Sequence, residues 1–267
     1  MKTKHFALTA ISDSWPLILL VAIGFLLEGS FSAGAQELDA KPATPENGAF
    51  VPAMQEISPG VFQIGKIRLD KKKKSVTFPG KLNMSKDLIE YVLVTPEGST
   101  HESLLTAEIQ PTDLQFVMLL LDAKGAGLLT PSADSAPPPG QIDAIYLKTA
   151  PRLKGDNVSI TVSWKTQDGK DKVVAIEDLL MNADTKKAAE RGPWIYTGSM
   201  FGADGGFLAQ QQGSFISVVT NPAALINNPR KGNDNDRIWA VNEKQSPPVG
   251  TAVSITIALA SGSSETK

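Results

Sequence analysis

The sequence predicts an α+β fold, a mainly antiparallel β-sheet with two helices packed on one face. Three observations predict it. Residues 157–165 (NVSITVSWK) alternate apolar and polar side chains, the period of a half-buried strand. Short β-branched and aromatic runs are separated by turn signals such as Asp168-Gly169. After Pro111 the period changes, with Leu114, Val117, Met118 and Leu121 at the i, i+3, i+4, i+7 spacing of a helix.

The elements follow in order. VFQIGKIRL, the turn DKKKK and SVTFPG (residues 61–80) read as a β-hairpin. Lys71 to Lys74 read as a solvated loop tip that discourages edge pairing. Leu88 to Thr95 has strand propensity, Pro96-Glu97-Gly98 supplies a turn, and His101 to Ile109 is expected to return antiparallel. Thr112 with Gln115 fits a capping box for the helix that follows, Gly125 fits its stop, and Phe116, Leu119 and Leu120 predict burial nearly all round. Residues 130–140 (TPSADSAPPPG) form a proline-rich surface loop. Beyond the hairpin at Asp168-Gly169, Glu177 to Arg191 reads as the second helix, acids first and bases last, in the sense the helix dipole favours. WIYTGSMF, GFLAQ, SFISVV, RIWAVN and AVSITIAL read as strands, with one helical turn at Ala223 to Ile226.

Composition narrows the function classes. Lys and Arg total 26 against 28 Asp and Glu, a net charge of −2, so no global field draws nucleic acid or an anionic membrane. Aromatics at 6% argue against base-stacking platforms. The chain has no cysteine, which removes disulfides, thiol redox chemistry, cysteine zinc sites and iron-sulfur clusters.

The N-terminal residues predict a compartment. Lys2, Lys4 and His5 precede an apolar run from Pro16 to Leu27, and Ala33-Gly34-Ala35 is a small-x-small cleavage pattern. The run is shorter than the ~20 apolar residues of a membrane span, so residues 1–35 read as a secretory signal peptide, with no stable membrane span after its removal. Asp13 keeps an uncleaved anchor as the alternative. The expected organisation is a signal at 1–35, a polar leader at 36–58, one folded domain at 59–260 and a polar tail at 261–267. The expected location is periplasmic or extracellular.

Candidate chemistry is sparse. With His5 in the signal, His101 is the only histidine of the mature chain, and beside it stands Glu102. An H-E-x-x-H zinc site needs a second histidine where this chain has Leu105. One imidazole with carboxylates can still hold a divalent cation or serve as a base. Asp234 and Asp236, in the run NDND, supply calcium-like oxygens. With these as third and fifth positions of a calcium loop, the sixth is Arg237 where glycine is required. Ser199 in TGSMFG lacks the G-x-S-x-G setting of a hydrolase nucleophile. Trp164, Trp194 and Trp239 read as packing residues.

Taken together, FPGKLNM (78–84), EYVLVTPEGSTHESLL (90–105), QFVMLLLDAKG (115–125), WIYTGS (194–199), PAALINNP (222–229) and PPVGTAVSITI (247–257) resemble the YdjY-like domain family of exported bacterial proteins. The resemblance spans residues 61–259. It implies export and a domain type, and no reaction. A ferredoxin-type label that travels with the family cannot apply to a chain without thiolates. The expectation is a non-catalytic binding or structural module of the cell envelope, with an envelope protein or a small ligand as partner and no cofactor. The alternative is a metal-dependent, hydrolase-like enzyme using His101, Glu102 and, as weaker ligands, Asp234 and Asp236.

Overall fold

The computed structural model describes residues 53–125 and 153–260. The predicted signal, most of the leader, the proline-rich loop and the polar tail lie outside them. The strands are β1 (Met54–Ser58), β2 (Val61–Ile64), β3 (Ile67–Asp70), β4 (Ser75–Leu82), β5 (Tyr91–Val94) and β6 (Ser103–Thr106), followed by helix α1 (Pro111–Leu120). Next come β7 (Asp156–Lys165), β8 (Asp171–Ala175), β9 (Leu180–Asn182), β10 (Lys187–Ala188) and β11 (Trp194–Tyr196). Helix α2 (Leu208–Gln212) precedes β12 (Ser214–Ser217), β13 (Ile226–Asn227), β14 (Trp239–Val241) and β15 (Ala252–Leu259).

The expected open sheet with two helices on one face is not what forms. The order β4-β15-β7-β11-β13-β12-β5-β6 returns to β4 through Lys81↔Thr106 and Leu82↔Leu105, closing an eight-stranded barrel. Strands β1 to β3 extend from one side of β4 and β8 from β7, while β10-β9-β14 make a separate small sheet. Alternation along β4, β15 and β7 fills the interior in rows: Val76, Ile257 and Ile160 lie in one, Phe78, Ile255 and Val162 in the next. All six are buried, as an eight-stranded barrel's side chains must be to fill it.

Strand β4 serves two partners on one side. Its first half pairs with β3 and its end with β6, and the exchange falls at Pro79-Gly80. Proline brings no N–H to the ladder there, and a Cβ on Gly80 would stand 2.7 Å from Ile255 Cδ1 and 2.9 Å from the Thr106 carbonyl oxygen.

Other expectations are corrected locally. The Pro96–Gly98 turn forms, but the chain then passes through a 3-10 turn at Thr100–Glu102 and re-enters beside the start of β5, so β6 pairs with it in parallel (Tyr91↔Ser103, Val94↔Thr106). Helix α1 starts at Pro111 behind Gln110, whose side chain makes no cap, and the Thr112 amide goes to Gln210 Oε1 (3.3 Å), so the Thr112–Gln115 box is not made. Proline at the first helical position needs no acceptor for its nitrogen. The helix ends at Leu120 and the chain turns away at Asp122, which takes φ 62°, three residues before Gly125; Leu119 is 56% exposed. Glu177 to Arg191 is not a helix: a 3-10 turn at Ile176–Leu179 leads into the β9–β10 hairpin. Asn182 Oδ1 accepts the Asp184 and Thr185 amides there, a turn the charge pattern does not reveal. GFLAQ supplies α2 instead of a strand, Ala223 to Ile226 leads into β13, and the last leader residues pair with β2 as the exposed strand β1.

The Asp168-Gly169 hairpin, the DKKKK turn between β3 and β4, and the closing strand β15 form as expected.

Candidate functional site

The residue that gathers the candidates together is Glu90, which precedes β5 and was not singled out by any motif. Its backbone is pinned from both neighbours. The amide donates to the Glu102 carbonyl (2.9 Å), and the carbonyl accepts the Val218 amide (2.9 Å) and the Ser217 hydroxyl (3.1 Å). Glu90 lines a cleft of ≈220 Å³ with Tyr91, Gln212, Thr220 and Asn221.

Asn221, on the far wall, is held from behind by Asn227, which is fully buried. Its Oδ1 accepts the Asn221 amide at 2.7 Å, and its Nδ2 donates to the Asn221 carbonyl and to Thr197 Oγ1, both at 3.0 Å. Thus held, Asn221 directs Nδ2 at the Tyr91 hydroxyl (3.1 Å) and at Gln212 Oε1 (3.2 Å). The Thr220 amide donates to the Asn233 carbonyl at 2.6 Å, tying the cleft to the NDND turn.

Electrostatics here are unbalanced. Burial raises the pKa of Glu90, the negative charges of Glu102 and Asp236 raise it further, and only His101 opposes them. No hydrogen bond from a described residue reaches the carboxylate. Burial also raises the Tyr91 pKa, with Glu90 and Glu102 adding to it against the hydrogen bond from Asn221, so at neutral pH the phenol is a neutral O–H donor.

The sign for stability follows from linkage. A carboxyl whose folded pKa is raised binds more protons folded than unfolded, so stability is greatest below the ordinary value of 4.5 and falls as pH rises through the raised one. A Glu90→Gln substitution is expected to raise stability at neutral pH by under about 1 kcal/mol, since solvent screens a half-exposed charge. Below pH 4.5 the two proteins should melt alike; thermal melts across this range check it.

Three of the four sequence candidates, His101, Glu102 and Asp236, act on the Glu90 carboxyl through their charges. His101 stands on the 3-10 turn with its side chain 79% exposed, and its Nε2 is 3.7 Å from Glu102 Oε1, too long for a hydrogen bond. Asp236 acts on Glu90 from the NDND turn, whereas Asp234 is exposed and contributes nothing to the Glu90 carboxyl. Among the described residues, no group of three or more His, Cys, Asp or Glu is placed to hold a metal ion. Ser199, 5% exposed, is a structural pin: its hydroxyl donates to the Ala223 carbonyl at 2.6 Å and accepts the Ala209 amide at 3.1 Å. Trp164, Trp194 and Trp239 are buried in the core.

The cleft residues that sequence reasoning missed are Glu90, Tyr91, Gln212, Thr220 and Asn221, together with Asn227 behind them. Two signals bore on them: EYVLV and PAALINNP both belong to the family pattern, one holding Glu90 and Tyr91, the other Asn227. A family model described as the YdjY domain matches residues 67–258, more than half of the chain. The chain belongs to the YdjY family. Every cleft residue of this YdjY domain falls inside the matched stretch. No curated protein and no solved structure matches it. Among its described residues, no helix is long and apolar enough to cross a membrane.

Proposed function

We propose that this YdjY domain is an exported, non-catalytic binding module that holds a small ligand in the Glu90–Asn221 cleft. The observation that carries the reading is a rigidly built concavity whose lining groups are left with unused hydrogen-bonding capacity. The backbone of Glu90 and both faces of Asn221 are fixed by hydrogen bonds within the chain. Tyr91 and Asn221 both line the cleft, and the Tyr91 phenol accepts from Asn221 with its own hydrogen uncommitted among the described residues. Such a set suits recognition. The apolar run at residues 16–27 with Ala33-Gly34-Ala35 supports export.

A thermal-shift screen of small polar molecules against the purified chain tests the reading. A ligand present at a hundred times its Kd stabilises by about 2.7 kcal/mol. At least one compound should raise Tm, unchanged chemically on recovery, and Tyr91→Phe, which removes one hydroxyl and no volume, should weaken its effect. A screen without a hit, hits indifferent to Tyr91→Phe, or turnover of the hit would overturn it.

A further inference from the structure

We infer that the ligand of this cleft is a small uncharged molecule that presents oxygen acceptors, a polyol or an amide, and that the cleft discriminates against ions of either sign. The inference rests on the reading of the cleft as a ligand site and names its chemistry.

The hydrogen-bond polarity of the site starts from one backbone amide. The Ala223 N–H donates to Asn221 Oδ1 at 2.9 Å, which fixes the orientation of that side chain and makes its Nδ2 the donor. Both hydrogens of Nδ2 are then spent, one on the Tyr91 hydroxyl oxygen at 3.1 Å and one on Gln212 Oε1 at 3.2 Å. Gln212 therefore turns its oxygen toward Asn221, and its NH2 group is left over. Tyr91 accepts through its oxygen, and its own hydrogen is left over too. Among the described residues neither group has an acceptor. Three residues that line the cleft thus meet at one nitrogen, their acceptors used and their donors free.

Free donors select a ligand that accepts. A cation brings donors of its own, and the acceptors it would need are occupied: Asn221 Oδ1 by the Ala223 amide, Gln212 Oε1 and the Tyr91 oxygen by Asn221. The Glu90 carbonyl is likewise held by the Val218 amide and the Ser217 hydroxyl. An anion accepts, but no lysine, arginine or histidine is among the residues lining the cleft, so its charge would be desolvated without a partner. A carbonyl or hydroxyl oxygen meets the same donors without that cost. Size sets an upper bound: ≈220 Å³ corresponds to about seven waters at ~30 Å³ each, too little for a nucleotide.

Isothermal titration of the purified chain with erythritol, succinamide, succinate and putrescine separates the possibilities, because the four share a four-carbon length and differ in charge and end groups. Erythritol or succinamide should bind at least about tenfold more tightly than either ion, and which of the two binds better tells a polyol site from an amide site. Tyr91→Phe should weaken that compound roughly three- to tenfold, the range of a neutral hydrogen bond. Gln212→Glu is the sharper variant. It keeps an oxygen for Asn221 and replaces the spare NH2 of an exposed residue by an acceptor. It should melt like the parent, weaken the uncharged compound by at least about tenfold and make putrescine the tighter ligand, a reversal that a merely structural role does not produce. Binding of either ion as tightly as the uncharged pair, unchanged affinity in either variant, or no heat with any of the four would overturn the inference. An ion that raises Tm in the thermal-shift screen and loses its effect in Tyr91→Phe, with erythritol and succinamide silent, would overturn it and leave the binding-module reading standing.

Discussion

Arg230→Met is expected to destabilise the protein by roughly 3–5 kcal/mol, the cost of leaving a buried charge without its partner. Glu177, in the 3-10 turn before β9, has a side chain 5% exposed, and its Oε1 takes the Arg230 Nη2 at 2.6 Å. Trp194 Nε1 donates to the same oxygen at 3.0 Å, and the guanidinium lies 5.1 Å from the Trp194 ring centroid. Arg230 also donates to Asn228 Oδ1 at 3.1 Å and to the Gly192 carbonyl at 2.8 Å. Burial lowers the Arg230 pKa and the negative charge of Glu177 restores part of it, so the pair is mutually dependent. Methionine fills much of the volume and supplies none of the donors. A fall in Tm of about 6–20 °C follows for a domain of this size, and adding Glu177→Gln should recover most of it. Arg191→Met is the control: its pair with Asp178 is nearly as short, at 2.8 Å, but the arginine is 71% exposed, and the loss should stay below about 1 kcal/mol.

Gly155→Ala is expected to cost on the order of 3 kcal/mol or more, read as a lower urea midpoint. Gly155 has φ 143°, and a Cβ placed there would lie 1.9 Å from the Tyr196 carbonyl oxygen. The obstacle is backbone, so it cannot rotate aside. Residue 156 pairs with Tyr196, which means that relief must come from opening the β7–β11 seam of the barrel. Gly65, at φ 54° with nothing within 4 Å, isolates the backbone cost alone, and its alanine variant should lose only about 1–2 kcal/mol.

Strands with a strong local signal were legible. The alternation of NVSITVSWK, the Asp168-Gly169 turn and the DKKKK tip are short-range features, and β7, β8, β3 and β4 follow them. Closure was not, because it depends on two residue pairs, Lys81↔Thr106 and Leu82↔Leu105, whose segments show nothing of each other in sequence. The false second helix had charges in helical order, but Asn182 captures two amides and turns the chain. The apolar residues of GFLAQ suggest a strand, yet Gly213, at φ 62°, closes α2 as a left-handed cap.

The candidate site was legible in part. His101 and Glu102 were found because histidine is rare in the chain, and Asp236 because of its neighbours in NDND. Glu90 sits between Ile89 and Tyr91 without any motif. Its importance arises from packing against Ser217 to Asn221, more than a hundred residues on, and from the acids that face it, neither of which a local pattern encodes.

The position of β15 governs when this molecule can fold. It lies between β4 and β7, pairing with residues 75–81 on one side and 158–163 on the other. Until residues 252–259 are present, the barrel is a gapped ring with two bare edges, the arrangement most open to pairing with another chain. Joining segments so far apart in sequence makes folding slow and late. Closure of the barrel therefore waits for residues 252–259, whereas local hairpins such as β7–β8 are complete without them.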